Sequence, residues 1–200
     1  MLKIEVLQSP HSFSANCYLI SSDGEYAVVD PTAPYRDDLC DGKVRYILLT
    51  HSHFDHILEI DSWADATGAE VIISAEGREA PSDPMRNCYK LYNGSDKGYF
   101  GPVHGLEDKE IIPLGRENIQ ILHTPGHTSC SAVYLIGDTA FVGDTVFAGG
   151  GYGRYDLPTG NLVMLRDSIR RVMSLPNETR LYPGHGDSTT VKEYKQDLIR

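Results

Sequence analysis

The chain is short of positive charge: 18 Lys and Arg stand against 28 Asp and Glu, a formal charge of −10. Nucleic-acid binders draw their affinity largely from basic side chains that neutralise phosphates, so this balance, with no basic stripe, excludes that class of partner. Long apolar runs are missing too, and nothing approaches the roughly 20 residues that span a bilayer. The four cysteines, Cys17, Cys40, Cys88 and Cys130, lie far apart with no C-x-x-C pair. That spacing fits buried thiols better than a disulfide framework or a cysteine-built metal site. Residues 1–6 alternate like a strand and lack the basic start, apolar stretch and small-residue cleavage site of a secretion signal. A cytoplasmic protein with no membrane partner is expected.

What is present suffices for one substantial domain. A chain of 200 residues buries about 70% of the surface it exposes when unfolded, and no linker interrupts it, so residues 1–200 are expected to form a single domain. Strand patterns occupy 2–6, 15–20, 25–29, 44–49, 71–73, 111–114, 119–123, 131–136, 140–142 and 180–182. Residues 57–66, 161–174 and 191–199 carry helical spacing. The Ser22-Asp23-Gly24 turn makes the opening strands an antiparallel hairpin, and the nearly continuous apolar run at 44–49 reads as a strand buried on both faces. Ser74, with Glu76 and Glu79 behind it, has the signature of a short helix start, which Gly77 weakens. Residues 81–105 have little periodicity but four aromatics, either a lid or substrate wall or a surface excursion with its own cluster. So many hairpin-like strands do not fit β-α-β alternation. The expected fold is α+β, two sheets packed face to face with helices outside, a four-layer αββα sandwich.

Histidine gives the chain its chemistry. His51-Ser52-His53-Phe54-Asp55-His56 places four potential metal ligands within six residues, directly after the buried strand. His123 and His127 bracket Thr124-Pro125-Gly126, and His185 sits in Gly184-His185-Gly186. Each cluster follows a strand and lies in or beside a turn, where the backbone can aim side chains into a shared cleft. Imidazole and carboxylate together suit zinc and, less exclusively, iron or manganese. His11 and His104 stand alone and read as structural residues.

In this order, His51-x-His53-x-Asp55-His56, His127, Gly143-Asp144 and Gly184-His185-Gly186 closely resemble the motifs of the metallo-β-lactamase superfamily, over essentially the whole chain. The resemblance implies that His51, His53 and His127 hold one metal, Asp55, His56 and His185 a second, and that Asp144 bridges them, two zinc ions being expected and iron or manganese possible. Asp55 and Asp144 would also act in catalysis. Such a pair of cations shares a hydroxide formed near neutral pH and polarises a carbonyl as a Lewis acid. Asp144 alone also reads as a turn residue. His123 matches a position that does not ligate. Asp30, which ends a strand, resembles a carboxylate that orients a ligating histidine, and serves equally well as a turn residue.

Departures narrow the substrate. Main-class β-lactamases are secreted and carry cysteine where Asp144 stands, flavodiiron proteins carry glutamate in place of His53, and the superfamily's nucleases add basic surface. What remains is similar to short bacterial relatives of glyoxalase II, without the C-terminal helical domain of the full enzymes. The expectation is a metal-dependent hydrolase in which metal-bound hydroxide attacks a small thioester or related acyl substrate. The alternatives are a mononuclear iron oxidoreductase resembling persulfide dioxygenases, or a lactonase or phosphodiesterase on the same fold. Residues 149–161 resemble the G-R-x-D-x-x-x-G segment of these relatives. Arg154 is expected to brace the metal loops through a carboxylate such as Asp156, or else to be a plain surface arginine, and Tyr152 or Tyr155 to offer a phenol near the oxyanion.

Overall fold

The computed structural model describes residues 2–199, built as two six-stranded mixed sheets with helices against their outer faces. In the first sheet the strands follow chain order: β1 (Lys3–Leu7), β2 (Cys17–Ser22), β3 (Glu25–Val29), β4 (Lys43–Leu48), β5 (Glu70–Ser74) and β6 (Val103–Leu106). The β1–β2 and β2–β3 pairs are antiparallel, and β3 to β6 run parallel. The second sheet comprises β7 (Ile111–Leu114), β8 (Glu117–His123), β9 (Ala132–Ile136), β10 (Thr139–Gly143), β11 (Arg180–Pro183) and β12 (Thr189–Thr190). Its pairs are antiparallel except β10–β11.

Alternation within the buried runs builds the layers. Leu48 of β4 and Ile72 of β5 face inward, against Ile119 and Ile121 of β8, Tyr134 of β9 and Phe141 of β10. Their neighbours Ile47, Leu49, Val71 and Ile73 face outward, against Ile60 and Trp63 of α1 (Ile60–Thr67). On the far side Val133, Val142 and Leu181 pack on Leu165, Ile169 and Val172 of α3 (Leu162–Met173) and on Val191 and Tyr194 of α4 (Val191–Asp197). This is the four-layer sandwich, and each fully buried Ile or Leu contributes about 1.5–3 kcal/mol to it. Capping fixes the outer helices: Asn161 accepts from the amides of Val163 and Met164, and Thr190 with Glu193 forms a capping box.

Three local expectations are corrected. The helix patterned over 57–66 starts at Ile60, because Phe54–His56 is spent on a tight 3₁₀ turn that presents the histidines. The start at Ser74 yields one 3₁₀ turn, Ala75–Gly77. Residues 81–105 hold a short helix, α2 (Tyr89–Asn93), and all but the last residue of β6, with Asn87 tying the segment together through the carbonyls of Pro81 and Lys97. Among the described residues no helix is long and apolar enough to cross a membrane.

Strand direction places the site. β8, β10 and β11 run the same way, so the segments that leave them gather at one edge of the second sheet. At that edge the amide of Ala132 donates to the carbonyl of Thr50, just past β4, at 2.8 Å. The loop after β4 thereby meets the other three.

Candidate metal centre

The seven histidines and aspartates expected as ligands come together in three overlapping groups: His51, His53 and His127; His51, His56 and Asp144; Asp55, His56 and His185. In the first group Nε2 of His51, Nδ1 of His53 and Nε2 of His127 form a triangle with edges of 3.0, 3.1 and 3.2 Å. Asp144 reaches toward all groups, with Oδ1 3.4 Å from Nε2 of His56 and Oδ2 3.6 Å from Nε2 of both His127 and His185. Asp55 lies 3.2 Å from His185.

The outer ring nitrogens set the tautomers. Nδ1–H of His127 donates to the carbonyl of Arg154 at 2.6 Å. That of His56 donates to Oδ2 of Asp30 at 2.8 Å. The Thr50 hydroxyl donates to the same Asp30 oxygen at 2.7 Å and lies 3.2 Å from Nδ1 of His51, placed to accept its proton. His51, His56 and His127 therefore turn Nε2 inward, which is how a second layer prepares imidazoles for a cation. Bare nitrogens 3.2 Å apart repel unless a positive charge lies between them. A tetrahedral ion with bonds of about 2.0–2.1 Å spaces its nitrogens about 3.3 Å apart, close to the triangle observed. Nε2 of His56 and Oδ1 of Asp144 are buried with no hydrogen-bond partner, as expected of atoms meant for a metal.

Electrostatics separates the two halves. Burial, then the neighbouring imidazoles, holds His51 well below its ordinary pKa and brings His53 down to about 3. Burial also lowers His127, although Asp144 opposes it. For His56 burial works downward, but the carboxylates of Asp30 and Asp144 outweigh it and raise the group well above its usual value. The hydrogen bond that its ring donates to Asp55 raises His185. Burial would raise Asp144, yet His56, His127 and His185 hold it far down. The centre is thus a buried neutral imidazole trio beside a half whose charge is balanced by carboxylates.

The Metallo-beta-lactamase superfamily profile matches residues 12–185. The chain belongs to the metallo-β-lactamase superfamily. It is 37% identical over 145 residues to the Beta-lactamase hydrolase-like protein of Xylella fastidiosa (strain 9a5c), a match covering 71% of this chain and 33% of that one. The chain thus spans about a third of that relative's length. Hydroxyacylglutathione hydrolase GloC of Haemophilus influenzae is 30% identical over 195 residues, with 92% of each chain covered. The crystal structure of BLEG-1 B3 metallo-beta-lactamase aligns over 98% of this chain and 97% of its own, with a TM-score of 0.85 at 28% identity. The superfamily binds divalent metals and includes metallo-hydrolases, and the donor set here suits that chemistry.

The remaining candidates lie elsewhere or act differently. His11 pairs with Glu59 and His104 with Glu70, and Nε2 of His123 meets the Leu106 carbonyl. Arg154 does brace the centre, but through its carbonyl on His127, while its guanidinium pairs with Asp156 at the surface. Tyr152 lines a separate hollow with Leu162 and Leu198, and Tyr155 is outside the metal cavity's lining. The phenol there belongs to Tyr92, one of the four aromatics of the expected wall at residues 81–105, which the five-residue α2 gives no period to single out. The cavity holds roughly 730 Å³, and Cys88, Tyr92 and Asn93 make residues 81–105 one of its walls.

Two glycines let the loops close on the centre. Gly143 has φ 50°, and a Cβ there would lie 2.4 Å from the Thr50 hydroxyl. A Cβ on Gly184 would lie 2.2 Å from Oδ1 of Asp144 and 2.6 Å from Cε1 of His56. Gly184→Ala removes no ligand, yet it is expected to cut hydrolytic activity by about a hundredfold, the usual cost of an ångström-scale misplacement. Circular dichroism should remain that of the wild type. Wild-type turnover in that variant would show that the loop has room to spare.

Proposed function

We propose that this protein is a two-metal hydrolase of small thioesters. His51, His53 and His127 would hold one ion and Asp55, His56 and His185 the other, with Asp144 between them. The observation that carries this reading is the reach of Asp144, within 3.6 Å of His56, His127 and His185, between two complete donor sets. Divalent ions bound there supply a water that is deprotonated near neutral pH and a Lewis acid for the substrate's carbonyl oxygen.

The chain's own residues do the rest. Asp30, Thr50 and the Arg154 carbonyl keep three imidazoles in the ligating tautomer. Asp55, 22% exposed and hydrogen-bonded to His185, is the carboxylate nearest the mouth and is placed to take the proton of the attacking water and return it to the departing thiolate. Residues 81–105 wall the cavity and limit water around the acyl group. The similarity to Hydroxyacylglutathione hydrolase GloC supports a thioester over a phosphodiester, as does the acidic surface.

Metal analysis of untagged protein, followed by assays on thioesters, lactones and phosphodiesters, tests this reading. Two ions per chain and preferential thioester cleavage are expected, with His53→Ala inactive. A single iron with oxygen uptake and no hydrolysis would replace it with an oxidative function.

A further inference from the structure

Arg154 is the sole lysine or arginine lining the metal cavity, among the described residues. Its guanidinium is already engaged. Nε and Nη2 donate to the two carboxylate oxygens of Asp156 at 2.8 Å each, and Nη1 donates to the Tyr92 hydroxyl at 3.3 Å. Side-on bidentate pairing of this kind neutralises a guanidinium and fixes its direction. The rest of the lining is mostly apolar and aromatic, with Phe13, Phe54, Tyr92, Phe147 and Leu157, and Asn93 is its neutral polar side chain. The rings of Phe54 and Tyr92 lie 4.9 Å apart, and Phe13 is 83% exposed beside the cavity. The histidines and carboxylates lining the cavity, His53, Asp55, His127, Asp144 and His185, all belong to the proposed metal centre.

Resting on the hydrolase reading above, we propose that the cavity selects an uncharged, apolar acyl group, and that Asp156 sets this preference by neutralising Arg154. An acyl chain ending in a carboxylate, with its carbonyl at the metal centre, meets no free lysine or arginine in the cavity wall and must compete with Asp156 for the guanidinium. An aliphatic or phenyl group covers the aromatic wall without such competition, and burying it contributes roughly 25 cal/mol per Å² of apolar surface. Selection by charge requires a group that rejects the wrong ligand as well as surfaces that accept the right one. Asp156 is that group. It touches no substrate itself and acts through Arg154.

Two readouts test the proposal. Kinetics compare butanoyl and succinyl thioesters of N-acetylcysteamine, which share a leaving group and differ by a terminal carboxylate. Titration followed by NMR compares phenylacetamide with 4-carboxyphenylacetamide and needs no turnover. In the wild type the neutral member of each pair is expected to be favoured by about tenfold or more in kcat/KM and in affinity. In Asp156→Asn, whose side chain is at the surface and unburdened by packing, the ratio should move at least about threefold toward the carboxylate. Arg154→Gln should leave the anion disfavoured, because it supplies no cation. Equal affinities in the wild type, or a ratio unmoved by Asp156→Asn, overturn the proposal. If neither thioester is cleaved while the neutral amide still binds tighter and Asp156→Asn still shifts the ratio, the thioesterase reading fails and the charge selection stands.

Discussion

Asp144→Ala is expected to lower kcat/KM on a cleaved thioester about a thousandfold, the loss of some 4 kcal/mol of metal-derived stabilisation. The size follows from position. Oδ1 is buried without a hydrogen-bond partner and lies 3.4 Å from His56, while Oδ2 faces His127 and His185 at 3.6 Å each. Among the described residues no other carboxylate touches both halves of the centre in this way. Without it the imidazole trio keeps its three nitrogens, so one ion should stay, whereas the other half retains Asp55, His56 and His185 with less negative charge to offset a second dication. Metal analysis should therefore read close to one ion per chain rather than two. Asp144→Asn keeps the shape and one acceptor oxygen, and should fall between wild type and the alanine variant. A variant that keeps two ions and most of the wild-type rate would remove Asp144 from the bridge.

Asp30→Ala should be the most damaging change outside the proposed ligands. Asp30 is 1% exposed and sits at φ 50°, a left-handed conformation that aspartate tolerates better than most side chains. Its carboxylate accepts from the Thr50 amide, the Thr50 hydroxyl and His56, all within 2.8 Å. One carboxylate thus ties the end of β3 to the start of the metal loop and orients a ligand. Breaking a buried pair by deleting one partner costs about 3–5 kcal/mol, and in a domain of this size that lowers Tm by roughly 10 °C. Loss of the partner behind a ligating imidazole should also weaken the second ion about 10- to 100-fold. Thermal scans of metal-loaded and metal-stripped protein separate the two effects, because the stripped protein reports the fold alone. Asp30→Asn, which suits the same backbone conformation, should recover part of the loss in Tm. An unchanged Tm in the stripped alanine variant would mean that the His56 tether is dispensable to the fold.

Much of this was legible before any fold was known, and the reason is locality. A buried strand shows itself as a short apolar run, so Ile47, Leu48 and Leu49 announced a layer covered on both faces. A long helix shows its period, so Leu165, Ile169 and Val172 marked α3. Elements too short for a period stayed hidden: the five residues of α2 and the two of β12. The ligand candidates stood out because four of them crowd one turn, and the remaining three each follow a strand.

Residue type and spacing by themselves pointed to the histidine clusters and the sandwich, and the family resemblance added Asp144 and the division of the proposed donors. Tertiary structure decided which atom of each residue does what. Asp30 and His56 are 26 positions apart, and His127 and the Arg154 carbonyl 27. Whether such groups meet depends on strand order and direction, which bring the segments after β4, β8, β10 and β11 to one edge. The Arg154 guanidinium was expected to steady the metal loops, yet its backbone oxygen does so, because the chain passes His127 with the carbonyl turned to the imidazole and the side chain turned along the cavity rim toward Asp156 and Tyr92. Spacing along a chain fixes which groups are neighbours over a few residues, and only the packing of two sheets fixes the direction in which each distant group points.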